Sequence, residues 1–294
     1  MSETNEVGIG RAAANPFVKD GKVLVSKVNS SVSNVKESIL KAVDLIGGFS
    51  RAIEKGDEVL LKPSYNSSGP PPAASDPEFV KALIELLYEH GAGKVIVGES
   101  SMEGRTTRKV MAKTGVLEKI KEAGAETVFF DERKWTKVNV GGKYLKTVSL
   151  AERAVQALKV IYCCNMKTHF RAEFSLSLKL GFGFVKGSER LAFHLEHLKE
   201  KMADLNLVIH PNLIIMDGRK IFITGGPFHG DIREPNVMLA SGDRIAIDVE
   251  GIKTIESFEG AKLKENPWSY TQIRRAVELG LGVKNEQEYE VVTG

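Results

Sequence analysis

Residues 57–99, DEVLLKPSYNSSGPPPAASDPEFVKALIELLYEHGAGKVIVGE, decide the fold. DEVLLKP is an apolar strand run that Pro63 stops, and KVIVGES is a second run of the same type. Between them SYNSSGPPPAASDP, dense in Ser, Gly and Pro, is an exposed and conformationally restricted loop. Its end, Ser75-Asp76-Pro77-Glu78, supplies an N-cap and a first-turn proline to the helix PEFVKALIELLYEHG, which Gly91 closes. Strand, helix, strand is a βαβ crossover, so the two strands run parallel and the sheet is covered on both faces.

The same rhythm extends in both directions. Upstream, GKVLVSKVN (21–29) is β-rich and a helical pattern runs from Asn34 to Ile46. Downstream, Thr106 to Ala123 is helical with a break at Gly115, AETVFFD is a fourth strand, and KWTKVNVGGKYLKTVSLA is a hairpin with a Gly-Gly turn. Then come the strand LKVIYCCNMK, a helical run through SLSLKLGFGFV, a helix HLEHLKEKMADLNLVIH and the strand NLIIMD. The tail, ASGDRIAIDVEGIKTIESF, is a strand-turn-helix capped by Asp243, followed by an amphipathic helix from Ser269 to Leu279. The expectation is an α/β protein of two α/β domains, residues 1–150 and 151–294, with mostly parallel sheets and an interdomain cleft.

The 41 basic and 38 acidic residues leave a formal net charge of +3 without a basic stripe, which argues against a nucleic-acid surface and leaves room for a small anionic ligand. No apolar leader or span of eighteen apolar residues occurs, so no membrane partner and a cytoplasmic location are expected; a homodimer is compatible with these features. The only two cysteines, Cys163 and Cys164, are neighbours on a strand, point to opposite faces and read as small buried residues.

Ligands of parallel sheets gather at the carboxyl ends of the strands, which singles out Lys62, Ser64, Tyr65 and Asn66, then Glu99, Ser100 and Ser101, then Asp131. Any one of these polar residues is more often a turn cap. Five of the six histidines fall between His169 and His229. In His194-Leu195-Glu196-His197 the histidines are three apart, which is not the zinc-peptidase spacing, and His197 reads as a solvated helix face. Lys179 sits among Leu178, Leu180, Phe182 and Phe184, so its ammonium either snorkels out or lies in a dry pocket, where a lysine loses basicity and becomes a nucleophile or base. Gly225, Gly226, Pro227 and Gly230 make a loop whose amides could form an anion nest, with His229 and Asp231 projecting; a plain turn is the simpler reading.

The order of VLLKPSYNS, ALIELLYEHGAGKVIVGES, NMKTHFRAEFSLSLKLGFG, PNLIIMDG, GGPFHGD and VMLASGDRIAIDVEG resembles the family of domain of unknown function 362 from about Lys22 to Ser257. Many members of that family carry a four-cysteine iron–sulfur module, which this chain lacks, and the family's usual Lys-Asn is Lys179-Leu180 here. A more distant likeness is to the nickel-pincer lactate racemases, which are similar in placing a histidine, a lysine ten residues on and a histidine fifteen further, as His169, Lys179 and His194 are placed. That likeness implies an acid–base role for His169, a cofactor or substrate contact at Lys179 and a metal ligand at His194. The racemases' second catalytic histidine has no counterpart, the N-terminal stretch offering Glu99, Ser100 and His90.

The resulting expectation is proton transfer, of racemase or isomerase type, on a small anionic substrate. His169 and Lys179 would be catalytic, with Lys62, Asn66, Glu99, Ser100, Gly226 and His229 binding substrate. Nickel, zinc or iron at His194 is the metal that the resemblance allows. The rival readings are a non-catalytic protein for a small anion or metal, and a redox or maturation partner of iron–sulfur proteins.

Overall fold

A computed structural model describes residues 8–30 and 32–294. Its thirteen strands are β1 (Val18–Lys19), β2 (Lys22–Asn29), β3 (Glu58–Lys62), β4 (Lys94–Glu99), β5 (Glu126–Phe129), β6 (Trp135–Asn139), β7 (Thr147–Ala151), β8 (Lys159–His169), β9 (Glu173–Ser175), β10 (Leu213–Phe222), β11 (Ile232–Arg233), β12 (Val237–Ser241) and β13 (Tyr289–Thr293). The α-helices are α1 (Val35–Leu45), α2 (Pro77–Glu89), α3 (Thr107–Thr114), α4 (Val116–Glu122), α5 (Glu152–Val155), α6 (Ser177–Leu180), α7 (Gly187–Leu195), α8 (Leu198–Leu205), α9 (Arg244–Glu256) and α10 (Thr271–Glu278).

Eleven strands form one mixed sheet, whose order is β1-β2-β12-β10-β8-β3-β4-β5, with β13 on β2, β11 on β10 and β9 on β8. The run β10-β8-β3-β4-β5 is parallel throughout, as the βαβ pattern requires. On the other side β12 runs antiparallel to both β2 and β10, while β9 and β11 add antiparallel to β8 and β10 and β13 adds parallel to β2. The hairpin β6–β7 stands apart as a two-stranded sheet.

Side chains that alternate along the strands separate two cores. Val59, Leu61, Val95, Val97, Ile161 and Cys163 pack with α1, α2 and α4, whereas Leu60, Ile96, Val160, Tyr162 and Cys164 pack with α6–α10 and the hairpin. The adjacent cysteines therefore lie in different cores, both free and buried. The caps behave as their chemistry dictates: Asp76 accepts from the Glu78 amide at the start of α2, and Asp243 accepts from the Ile245 and Ala246 amides at the start of α9.

Three expectations need adjustment. A division into two domains with a cleft between them is not shown, because β8, from the C-terminal half, lies between β3 and β10 and joins both halves in one sheet. The segment from His194 to His210 is not one helix: Glu196 is extended and His197 has φ of 51°, so α7 and α8 are separate and the two histidines share no helix face. The run after Ser177 is one turn of α6 followed by a 3₁₀ turn, Gly181–Phe184.

Candidate functional site

The carboxyl ends of β3, β4 and β8 meet under α6, the 3₁₀ turn and α7. Lys62 at the end of β3 and Glu99 at the end of β4 form a buried pair, Nζ to Oε2 2.7 Å. Lys62 also donates to the Pro63 carbonyl, while Glu99 accepts from the Tyr65 and Ser100 amides. Burial pulls the Lys62 ammonium below its ordinary range and the Glu99 carboxylate opposes that pull. Gly183 closes over the pair: a Cβ there would stand 2.6 Å from Lys62 Cε and 2.7 Å from Glu99 Oε1, so a side chain at this position would have to displace the buried pair.

Arg190 of α7 staples this roof to the sheet. Its guanidinium donates to the Ser100 and Ser101 carbonyls, to Ser100 Oγ, and to the Gly183 and Val185 carbonyls. The planar fork of donors suits a convergent set of carbonyls. Asp248, on α9, holds the other side of the roof by accepting from the Ser177 and Leu178 amides that open α6. Burial raises its carboxyl to about 7, against the pull of those hydrogen bonds.

β8 carries Asn165, Lys167 and His169 at alternate positions toward its carboxyl end. Asn165 and Lys167 anchor the Pro-rich loop, donating to the Pro72 carbonyl at 2.7 and 3.1 Å, and Lys167 donates to the Ala73 carbonyl as well. His169 Nδ1 accepts from both the Arg171 and Ala172 amides at 3.1 Å, which places the ring proton on Nε2. Burial, and beside it Lys179, His194, Lys167 and Arg171, pull its pKa to about 2, which favours the neutral ring with its N–H at Nε2.

Lys179, the third residue of α6, is 9% exposed and makes no hydrogen bond or ion pair among the described residues. Its Nζ lies 5.2 Å from the centroid of the Phe182 ring, and the Arg190 guanidinium carbon lies 5.6 Å from the same centroid. Burial, reinforced by Arg190, lowers Lys179 to about 8, and burial with Lys179 beside it lowers Lys167 to about 7. His194 on α7 meets Phe182 edge to face, is pulled down by burial, Lys179 and Arg171, and leaves a buried Nδ1 without a partner. A cavity of about 380 Å³ adjoins the cluster, with Arg171 and His194 in its wall and Glu196, Lys199 and Glu200 farther along it.

The structure thus brings together His169, Lys179 and His194. It sets Lys62, Glu99 and Ser100 beneath the roof, where they are buried and bonded to protein groups. Asn66 is half-buried beside them, its carbonyl accepting from the Met102 amide. The Gly226 amide is used internally, donating to the His229 carbonyl at 2.6 Å, and the Gly226 carbonyl accepts from Phe170. His229 is exposed. Lys167, Arg171, Arg190 and Asp248 are site residues that sequence reasoning passed over. The strand period pointed to Lys167, two residues before His169, and Asp248 stands out as a carboxylate inside the apolar run RIAIDVEGI.

The donor set does not fit a metal ion. No group of three or more His, Cys, Asp or Glu side chains is placed to hold one among the described residues. Lys179 and Arg171 lie close enough to His194 to pull its pKa down, and they repel a cation there. The two cysteines are on opposite faces of β8, unlike the ligand set of a cluster.

An α/β sheet with a cluster of buried cations at its carboxyl edge is the class of protein these features define. Within that class, a family model described as "Domain of unknown function (DUF362)" matches residues 59–253, and the chain belongs to that family. It is also similar to the thylakoid-associated protein sll1697 of Synechocystis sp., 29% identical over 219 residues that make up 72% of this chain and 67% of the relative. Among the described residues no helix is long and apolar enough to cross a membrane.

Proposed function

We propose that the protein binds a small anionic substrate beside Lys179, reached from the cavity that Arg171 and His194 line, and moves a proton on it. The observation that carries this reading is the Lys179 ammonium, buried, unpaired, and surrounded by Lys167, Arg190, His169 and His194. A buried charge without a counter-ion is costly, and an incoming carboxylate or phosphate removes that cost. Lys179, at about 8, is the group poised to exchange a proton near neutrality, while His169 Nε2–H stabilises negative charge as it develops. This reverses the expected division of labour, since the histidine is held neutral and the lysine titrates.

Calorimetric titration with inorganic phosphate, L-lactate and oxalate tests binding, and NMR in D₂O tests exchange of the substrate C–H. Binding that K179M abolishes, with exchange in the unaltered protein, is expected. Binding without exchange of any substrate proton makes the protein a non-catalytic anion binder, and no binding by any of the three sinks the reading.

A further inference from the structure

Four buried cations lie at the carboxyl edge of the sheet and its roof, Lys62, Lys167, Lys179 and Arg190, and three of them are committed. Lys62 is bound to Glu99 and the Pro63 carbonyl, Lys167 to the Pro72 and Ala73 carbonyls, and Arg190 to four carbonyls and the Ser100 hydroxyl. Lys179 Nζ has no such partner, so its lone pair, once the proton leaves, is not tied up by the protein. An apolar wall on one side and cations on the other is the environment in which a lysine amine becomes a nucleophile toward carbonyl carbon. The about 8 to which burial and Arg190 bring it means that a usable fraction is neutral at physiological pH.

We propose that Lys179 condenses with the carbonyl of a small oxo carboxylate to form a Schiff base. The inference rests on the anion reading above, in which the cations around Lys179 attract the carboxylate. The neutral amine adds to the carbonyl carbon, forming the C–N bond as the C=O π bond opens. One amine proton passes from the adding nitrogen to the oxygen, giving a neutral carbinolamine, and the second follows when that hydroxyl leaves, while His169 Nε2–H donates a hydrogen bond to the oxygen and keeps its own proton. Loss of that oxygen as water, with cleavage of the C–O bond, leaves the imine, and its protonated form is the iminium. Amine and carbonyl give imine and water with no net oxidation. The iminium acidifies the adjoining C–H, which links the covalent step to proton transfer on the same substrate.

The whole chain is incubated separately with pyruvate, 2-oxobutyrate and acetoacetate, reduced with sodium borohydride, and examined by intact mass and peptide mapping. L-lactate, a carboxylate without a carbonyl, is the control. At least one oxo acid is expected to leave a single stable adduct on Lys179, with L-lactate leaving none and competing with its formation, and K179R, which keeps the cation, failing to react. No adduct from any of the three, or an adduct equally on Lys167 and surface lysines, overturns the proposal. Mapping on the unaltered protein decides the case even if K179R does not fold. Calorimetric binding of the oxo acids and of lactate without an adduct would overturn the Schiff base alone, whereas absence of binding by any of them would overturn the anion reading with it.

Discussion

Lys179 holds its charge against the tendency of the fold. At neutral pH it is buried and protonated with no counter-ion, and a methionine of similar shape would remove that cost. K179M is therefore expected to stabilise the protein by about 2 kcal/mol at pH 7, measured by urea unfolding, while abolishing anion binding. The sign with pH follows from its lowered pKa. Between about 8 in the folded protein and its ordinary 10.5, the unfolded chain holds more protons, so folding stability rises with pH and the advantage of K179M shrinks across that window. An advantage that is constant from pH 7 to 10.5 would contradict this. His169 permits a different separation. Its Nδ1 serves the Arg171 and Ala172 amides, which leaves the ring proton on Nε2, so H169N, whose side-chain oxygen replaces Nδ1, is expected to retain the turn. It should weaken phosphate binding by roughly tenfold or more for loss of one charge-assisted hydrogen bond, as read by calorimetry. The choice of His169, Lys179 and His194 was legible because each is an unlike residue in its local pattern. The protonation states were not, because they depend on Arg171, Arg190 and Lys167, brought in by the sheet and the roof.

The element that presents Lys179 is short, and a helix of one turn does not hold itself. α6 depends on Asp248 at its start and on Arg190 beyond its end, and both ties cross to other helices. D248A leaves the buried Ser177 and Leu178 amides without partners and is expected to cost about 2–4 kcal/mol in urea unfolding. Below the roof, E99Q leaves Lys62 as a buried charge without its carboxylate and is expected to cost about 3 kcal/mol in the same assay. A neutral result for E99Q would mean that Lys62 is already uncharged. The strand ends of this site were legible, since Lys62 and Glu99 close two consecutive parallel runs. The roof was misread as continuous helix because the apolar period persists from Leu176 to Val185 while Gly181 and Gly183 tighten the turn, and nothing local marks His197 as left-handed.

At the scale of the molecule, β8 decides how the chain holds together. Its burial on both faces was visible in VIYCC, a run without a charged or amide side chain, as in central strands of parallel sheets. Its neighbours were not visible, because strand pairing is non-local: β3 lies about a hundred positions earlier and β10 about fifty later, and neither spacing leaves a mark in a window of residues. Short strands such as β1, β9 and β11 fall below the length at which alternation can be recognised. The pairing has a physical consequence. Residues 1–150 by themselves would leave β3 with an open edge where β8 belongs and strip β2 of β12 and β13, exposing apolar residues of both cores. That fragment is expected not to fold, as read by far-UV circular dichroism and proteolysis. The whole chain should unfold in one cooperative transition, with circular dichroism and the fluorescence of Trp135 and Trp268 coinciding in urea. Two separated transitions, or a protease-resistant 1–150 fragment, would mean that the β3–β8 pairing does not couple the halves and that the chain is built of two independently stable units.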